Sequence, residues 1–97
     1  MRLRYTTPAA RDLDQLLDYL YQRSEQGARS VRASIEATLS VLVQYPLAGR
    51  LTNRPIIRRI AVSSYPYVIF YRASKDEIII HAVRHAARRP AFLPSGA

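Results

Sequence analysis

Three β-rich runs follow one another closely in the second half of the chain, and they constrain its fold more than any other feature. They span residues 56–62, 67–73 and 77–83, and no link between them exceeds four residues. Links this short can join only antiparallel neighbours, because a parallel pair needs a crossover of a dozen or more residues. The sequence therefore predicts a β-meander in this half.

The first half of the chain predicts two amphipathic helices. Thr7 and Pro8 are typical N-cap and first-turn residues, and apolar residues then recur at three- and four-residue steps to about Arg23. After a polar break at residues 24–27, a second apolar stripe continues towards Pro46, where the residue before proline is pushed out of helical geometry. A link this short between two helices predicts an antiparallel hairpin.

The predicted fold is α+β, with the order β-α-α-β-β-β. Residues 2–6 alternate polar and apolar side chains and should add an edge strand to a small, mainly antiparallel sheet. The helical hairpin should pack on one face of that sheet. We expect a single domain over residues 1–90 and a flexible tail at residues 91–97. The predicted core consists of Leu13, Leu16, Leu17, Leu20, Val31, Ile35, Leu39, Leu42, Ile69 and Tyr71.

The middle β-rich run, residues 67–73, is largely apolar or aromatic on both faces. Side chains alternate between the two faces of a strand, so the sets that begin at Tyr67 and at Val68 point in opposite directions. The hairpin can cover only one face of so small a sheet. We therefore expect the other face to expose apolar surface unless a partner covers it.

Charge and composition narrow the possible functions. The 97 residues carry 15 Lys and Arg against 7 Asp and Glu, a net charge of +8, and most of the excess lies in residues 54–97. A basic surface favours acidic partners, either nucleic acid or an acidic protein segment, although the excess can also serve only solubility. The absence of cysteine excludes disulfides and thiolate zinc sites. No apolar run is long enough to span a membrane, so we expect a cytoplasmic protein.

No specific catalytic motif is present, and two candidates have ordinary structural explanations. Asp14 and Asp18 lie four residues apart on one helix face, a spacing that is common on solvated helices. His81 lies within a predicted strand between apolar residues, which favours a packed structural role. We predict no metal site and no cofactor.

His85 is the stronger catalytic candidate. It follows Arg84 at the end of a predicted strand and precedes Arg88 and Arg89. A histidine in such surroundings can act as general acid or base on a phosphodiester while arginines stabilise the developing charge. It can equally form one more surface contact.

The strand arginines are candidates for binding. Arg58 and Arg59 are adjacent in a predicted strand and should therefore point to opposite faces of the sheet. Subject to strand register, the face that carries Arg58 is expected also to carry Arg72 and Arg84. Arginines near tyrosines can bind RNA through phosphates and base stacking, or an acidic peptide through bidentate carboxylate pairs. Any single one can instead point into solvent.

Four segments in order resemble the RelE/ParE superfamily of bacterial type II toxin–antitoxin toxins. They are YTTPAARDL at residues 5–13, LVQYPLAGR at 42–50, YPYVIFYR at 65–72 and IIIHAVRHAAR at 78–88. The resemblance covers nearly the whole chain. It implies a plasmid-stabilisation type of toxin that forms a hetero-oligomeric complex with a cognate acidic antitoxin, whose C-terminal segment wraps the toxin. Both helix-in-groove docking and strand addition are open to such a segment.

The resemblance leaves two branches open. ParE-like members inhibit DNA gyrase by protein–protein binding, whereas RelE-like members are ribosome-dependent mRNA endoribonucleases. The last two segments are closer to ParE, so the leading hypothesis is a gyrase inhibitor that is not an enzyme. The alternative is a metal-independent endoribonuclease that uses Arg58, Arg72, Arg84 and His85. An inactive member that binds only its antitoxin is a third possibility. The candidate antitoxin- or target-binding residues are Arg58, Arg59, Tyr67, Tyr71, Arg72, Arg84, His85, Arg88 and Arg89.

Overall fold

The structure is a computed structural model that describes residues 1–87. The predicted tail at residues 91–97, together with Arg88 and Arg89, lies outside the described residues. Residues 1–87 form two helices and five strands: β1 (Arg2–Tyr5), α1 (Thr7–Arg23), α2 (Glu25–Gln44), β2 (Arg50–Leu51), β3 (Arg58–Ala61), β4 (Tyr67–Ala73) and β5 (Glu77–His85).

The five strands form one mixed sheet in the order β1-β5-β4-β3-β2. The β1 strand pairs parallel to β5, and all other neighbours are antiparallel. The predicted α+β fold and its β1 edge strand are confirmed. The β2 strand was missed, because a strand of two residues is too short to show an alternating pattern.

The boundary between the two helices differs from the prediction. Ser24 alone separates them, in an extended conformation with φ −163° and ψ 113°. Its N–H donates to the Leu20 carbonyl of α1 at 2.8 Å, and its hydroxyl accepts from the Gly27 N–H of α2 at 3.0 Å. The predicted break at residues 24–27 is therefore wrong, since the serine caps both helices. At the start of α1, Thr6 and not Thr7 is the N-cap.

Two strand boundaries also differ. The predicted strand at residues 56–62 is reduced to β3, because Ile56 has a positive φ of 60° and leaves the extended region. The last strand continues two residues beyond the predicted end at Val83 and finishes at His85. A β-bulge shifts its register: Phe70 pairs with Ala82, but Tyr71 pairs with Ile80.

The main core lies between the helices and one face of the sheet, which we call the helix face. Of the predicted core, Val31, Ile35, Leu39, Leu42, Ile69 and Tyr71 are buried there. Leu13, Leu16 and Leu20 of α1 are only partly buried against this cluster, while Leu17 is half-buried and lies outside it. The incomplete burial of α1 leaves a cleft beside it. No helix within residues 1–87 is both long and apolar enough to cross a membrane.

A second, smaller cluster lies on the opposite face of the sheet, which we call the outer face. Val68, Phe70 and Ala82 are buried there together with Ile57 from the turn between β2 and β3. The expectation that this face exposes apolar strand residues is wrong, because the turn brings Ile57 onto them.

Candidate functional site

A cleft of about 570 Å³ lies between α1 and the last residues of β5, and we call it the α1–β5 cleft. Apolar and aromatic side chains form much of its lining, with a few polar groups among them. It brings together three of the predicted binding residues, which β4 and β5 supply. Its lining residues are Asp12, Gln15, Leu16, Tyr19, Tyr67, Val83, Arg84, His85 and Ala87.

Asp12 organises this cleft and was missed in the sequence. One carboxylate oxygen, Oδ2, accepts from the Val83 N–H at 3.1 Å, and Oδ1 accepts from Arg84 Nη1 at 3.3 Å. The β1 strand pairs with β5 only as far as Ile80, so the Val83 N–H lies on the uncovered edge of β5. The Asp12 carboxylate satisfies that donor in place of a neighbouring strand. No local spacing could reveal a contact between residues so far apart in the chain.

His85 and Tyr67 pack edge to face in the same cleft. Their ring centroids lie 5.5 Å apart at an interplanar angle of 87°. The His85 Nδ1 atom accepts from the Ala87 N–H at 3.0 Å, which places the proton of the neutral ring on Nε2. His85 itself is exposed. It therefore offers a hydrogen-bond donor beside an aromatic surface, while burial raises the pKa of Tyr67 and keeps its hydroxyl protonated.

Arg58 and Tyr71 form a clamp on the loop between α2 and β2. Arg58 Nη1 donates to the Gly49 carbonyl at 2.8 Å. The Tyr71 hydroxyl accepts from the Gly49 N–H at 2.8 Å and donates to the Pro46 carbonyl at 2.9 Å. Tyr71 is fully buried, and burial raises the pKa of its hydroxyl. Both side chains were predicted binding residues, and the structure places them in the support of a loop.

Gly49 is required by this clamp. A Cβ atom at this position would lie 2.6 Å from the Tyr71 ring and 2.7 Å from the Arg59 carbonyl. Contacts that close are not tolerated, so only glycine lets the loop approach the tyrosine. The glycine of the LVQYPLAGR segment at residues 42–50 therefore allows the loop after α2 to pack closely against the sheet.

The strand arginines do not share one face of the sheet, contrary to the prediction for Arg58, Arg72 and Arg84. Arg58 pairs with Tyr71 and lies on the helix face, whereas Arg59 pairs with Phe70 on the outer face. Arg72 follows Tyr71 and therefore also lies on the outer face. The predicted grouping of Arg58 with Arg72 and Arg84 is wrong, because the register of β3 against β4 separates them.

Arg84 connects the two faces. It pairs with Val68, which places its backbone position on the outer face, yet its guanidinium turns around the uncovered edge of β5 to reach Asp12. The Arg84 side chain is 39% exposed and the Asp12 side chain 13%. The Asp12 carboxylate therefore partly neutralises the charge of Arg84 within the cleft.

The outer face carries further cations around His81. His81 is the residue of β5 without a partner on β4 at the bulge. Burial, followed by repulsion from Arg72, Arg54 and Arg4, lowers the pKa of His81. Arg4 in turn donates from Nε and Nη2 to the two carboxylate oxygens of Glu77, both at 3.2 Å. The hydrogen bond from Arg4 is the main cause of the lowered pKa of Glu77.

Within residues 1–87, His, Asp and Glu side chains form no group of three or more that could hold a metal ion. Arginine and tyrosine side chains occur both in the cleft, as Arg84, Tyr19 and Tyr67, and in the clamp, as Arg58 and Tyr71. They suit the recognition of carboxylates, phosphates or apolar side chains.

Comparison with known proteins gives consistent matches. Residues 3–90 match the family model described as "ParE toxin of type II toxin-antitoxin system, parDE". The chain is 34% identical over 85 residues to "Putative toxin Y4kP" of Sinorhizobium fredii, with 88% of each chain covered.

Two solved structures share the fold. A chain of the "Chromosomal ParDE TA system from P. aeruginosa" superposes with a TM-score of 0.75 at 27% identity, covering 88% of this chain and 95% of that one. The isolated E. coli RelE toxin superposes with a TM-score of 0.66 at 18% identity, covering 91% and 86%. At that identity, the second likeness concerns the fold alone.

Proposed function

This chain belongs to the ParE toxin family of type II toxin–antitoxin systems, and we propose that it inhibits DNA gyrase by protein–protein binding. One observation carries the choice of a binding mechanism. The four residues of the alternative nuclease site do not converge: Arg58 and His85 lie near opposite ends of β4, while Arg72 lies on the outer face. A general acid must lie within hydrogen-bond reach of the substrate atom that it protonates, and the cations that stabilise the developing charge must reach the same phosphate.

The distance between these residues follows from the register. Arg58 pairs with Tyr71 and His85 pairs with Tyr67, four residues apart on β4. That separation corresponds to roughly 13 Å along the strand, at about 3.3 Å per residue. Arg58 also uses its guanidinium to hold the Gly49 carbonyl. The group is therefore engaged in the loop support and not directed at a shared substrate.

We further propose that a cognate acidic antitoxin neutralises the toxin by occupying the α1–β5 cleft. The cleft is concave, and the partly buried Leu16 of α1 and the rings of Tyr19 and Tyr67 supply apolar surface. Such a cleft fits a short amphipathic segment. The net charge of +8 favours an acidic one and accelerates its encounter with the toxin. Gyrase and ribosomes are both cytoplasmic, so we place the protein there.

A second candidate function, a RelE-like mRNA endoribonuclease, is supported by a single arrangement. Arg84 and His85 line the same cleft, and His85 is exposed with its Nε2 atom carrying the proton. A phosphodiester that entered the cleft would meet one cation and one proton donor. The other two residues of the alternative set would not reach it.

The test compares supercoiling by purified gyrase with mRNA cleavage on programmed ribosomes. We expect the purified protein to inhibit supercoiling and to leave mRNA intact. The informative variant is His85→Gln, which retains a hydrogen-bonding side chain but cannot exchange a proton near neutral pH. Gln15→Ala is its matched control, because it changes the same cleft without removing a titratable group. Cleavage that disappears in His85→Gln and persists in Gln15→Ala, with gyrase unaffected, would replace the gyrase proposal by the nuclease.

A further inference from the structure

Large apolar side chains project from β2 and from the segments on either side of it. Tyr45 is 65% exposed, Leu47 66%, Leu51 50% and Ile56 61%. Arg58 connects two of them, because it pairs with Leu51 and its Nη1 atom donates to the Leu47 carbonyl at 3.5 Å. We call these four residues the β2 knuckle. Soluble proteins rarely expose several large apolar side chains in one region, and such regions mark interaction sites.

The backbone beneath the β2 knuckle is held firmly in place. The Arg58 and Tyr71 clamp fixes the loop through Gly49. The turn after β2 is closed by Thr52, whose hydroxyl donates to the Ile57 carbonyl at 2.9 Å and accepts from the Arg54 N–H at 3.2 Å. A surface supported in this way loses little conformational freedom when it binds, which preserves affinity.

Ile56 has a feature that folding alone does not explain. Its φ of 60° lies in the left-handed region, which β-branched residues rarely adopt. At 61% exposure its side chain gains little from the core in return. Asparagine or glycine would suit this backbone better. A strained, exposed isoleucine indicates that its side chain serves a contact outside the chain.

The charge around the β2 knuckle specifies the chemistry of that contact. The sequence contains no Asp or Glu between Glu36 and Asp76, and Arg50 and Arg54 are exposed beside the apolar side chains. A second copy of the chain would bring like charges together. Three of the four side chains are aliphatic, and nucleic acid would leave them without a contact, because base recognition relies on stacking with aromatic side chains. An acidic protein surface that also contains an apolar recess satisfies both features.

We propose that the β2 knuckle inserts into an acidic, apolar recess on the folded target of the toxin. This inference rests on the proposed function in taking that target to be a protein. The shape of the surface selects the target over the antitoxin. The α1–β5 cleft is concave and receives a projecting segment, whereas the knuckle itself projects and needs a concavity that a folded partner supplies.

Substitution of Ile56 separates a binding role from a folding role. Ile56→Asn removes the apolar side chain and relieves the left-handed strain, so we expect thermal stability to stay equal or rise. Inhibition of gyrase supercoiling should nevertheless weaken about tenfold or more, as when a substitution removes one of the few contacts that dominate an interface. Leu51→Asn should weaken it similarly. Arg50→Glu should slow association and increase the inhibitory concentration most at low salt.

Leu3→Asn is the matched control for these variants. Leu3 is 37% exposed on β1, at the opposite edge of the sheet from β2. It should leave inhibition within about twofold of the wild type, because single surface substitutions usually change little. Each inhibitory concentration is calculated from the concentration of folded protein, with the folded fraction measured by circular dichroism. A variant that unfolds is thereby not mistaken for one that fails to bind.

Growth arrest on induced expression, with and without the antitoxin, distinguishes the two proposals. If the wild type arrests growth without inhibiting gyrase, the gyrase proposal fails, and the knuckle is judged on growth arrest with the same variants. Folded Ile56→Asn and Leu51→Asn proteins that remain as potent as the wild type would overturn the knuckle proposal. The same holds if these variants stay toxic but escape neutralisation by the antitoxin, since the knuckle would then bind the antitoxin.

Discussion

Replacement of Tyr71 by Phe tests whether the tyrosine hydroxyl holds the loop between α2 and β2. The change keeps the buried ring and removes one oxygen. The Gly49 N–H, which is buried, then loses its acceptor, at a cost of about 1–3 kcal/mol. The Pro46 carbonyl is only part-buried and can recover water, so its loss is nearer to 0.5 kcal/mol. We expect the free energy of unfolding to fall by about 2–3 kcal/mol in total.

Thermal and urea unfolding measure this loss directly. For a domain of this size, 1 kcal/mol shifts the melting temperature by roughly 4–8 °C, so the variant should melt about 10–20 °C lower. The free energy of unfolding should fall with urea concentration at the same slope as in the wild type, because the surface exposed on unfolding is unchanged. Tyr65→Phe is the matched control, since the Tyr65 hydroxyl makes no hydrogen bond within residues 1–87. It should change stability by less than about 0.5 kcal/mol.

Arg58 belongs to the same clamp and extends the test. Arg58→Met keeps the aliphatic stem and removes the donor to the Gly49 carbonyl. Since both side chains hold Gly49, the double variant should depart from additivity by about 0.5–3 kcal/mol. A Tyr71→Phe protein as stable as the wild type would refute the clamp. An Arg58→Met protein that keeps full stability yet loses toxicity would refute a supporting role for Arg58.

Three further predictions concern other parts of the fold. Asp12→Ala leaves the Val83 N–H and the Arg84 guanidinium without their acceptor. Urea unfolding should show a loss of about 1–3 kcal/mol in the free energy of unfolding. An unchanged free energy of unfolding would show that the edge of β5 needs no cap. Ser24→Ala removes the N-cap of α2 and should cost about 1 kcal/mol by the same method, with an unchanged midpoint counting against the shared cap. The pKa of His81 is lowered in the folded protein, so the unfolded chain takes up this proton first and stability falls as the pH drops below the ordinary value of 6.5. His81→Gln should lose less stability than the wild type between pH 7.5 and 5, and equal losses would contradict the burial of a neutral ring.

Much of the fold could be predicted from the sequence because its signals are local. The helical stripes predict which residues of α2 face the sheet, and Val31, Ile35, Leu39 and Leu42 are buried as expected. The short links between the last three strands enforce their antiparallel pairing. The role of Ser24 as the cap of both helices could not be predicted in the same way, since a serine followed closely by a glycine is equally typical of a loop.

The candidate site was less predictable because it depends on register and on long-range contacts. Arg58 falls opposite Tyr71 and not Phe70, and a slip of one residue would have moved it to the other face. The bulge between Phe70 and Tyr71 changes the pairing of β5 again. Asp12 reaches Arg84 only because the parallel β1 strand ends early. None of these features has a signature in the residues of one segment.

The composition gives only the net charge of +8, whereas the structure shows where the charged side chains lie. Arg2, Arg4, Arg29 and Arg84 form ion pairs with Asp or Glu side chains, whereas residues 37–75 contain no Asp or Glu. The positive field is therefore strongest where β2, β3 and β4 lie, and weaker at the α1–β5 cleft, where Asp12 offsets Arg84. Exposed charges are screened beyond about 8 Å at physiological salt, so the field acts mainly on partners that approach this side of the sheet. The β2 knuckle lies within it, so under the knuckle proposal this field would orient the projecting apolar side chains towards an acidic target before contact.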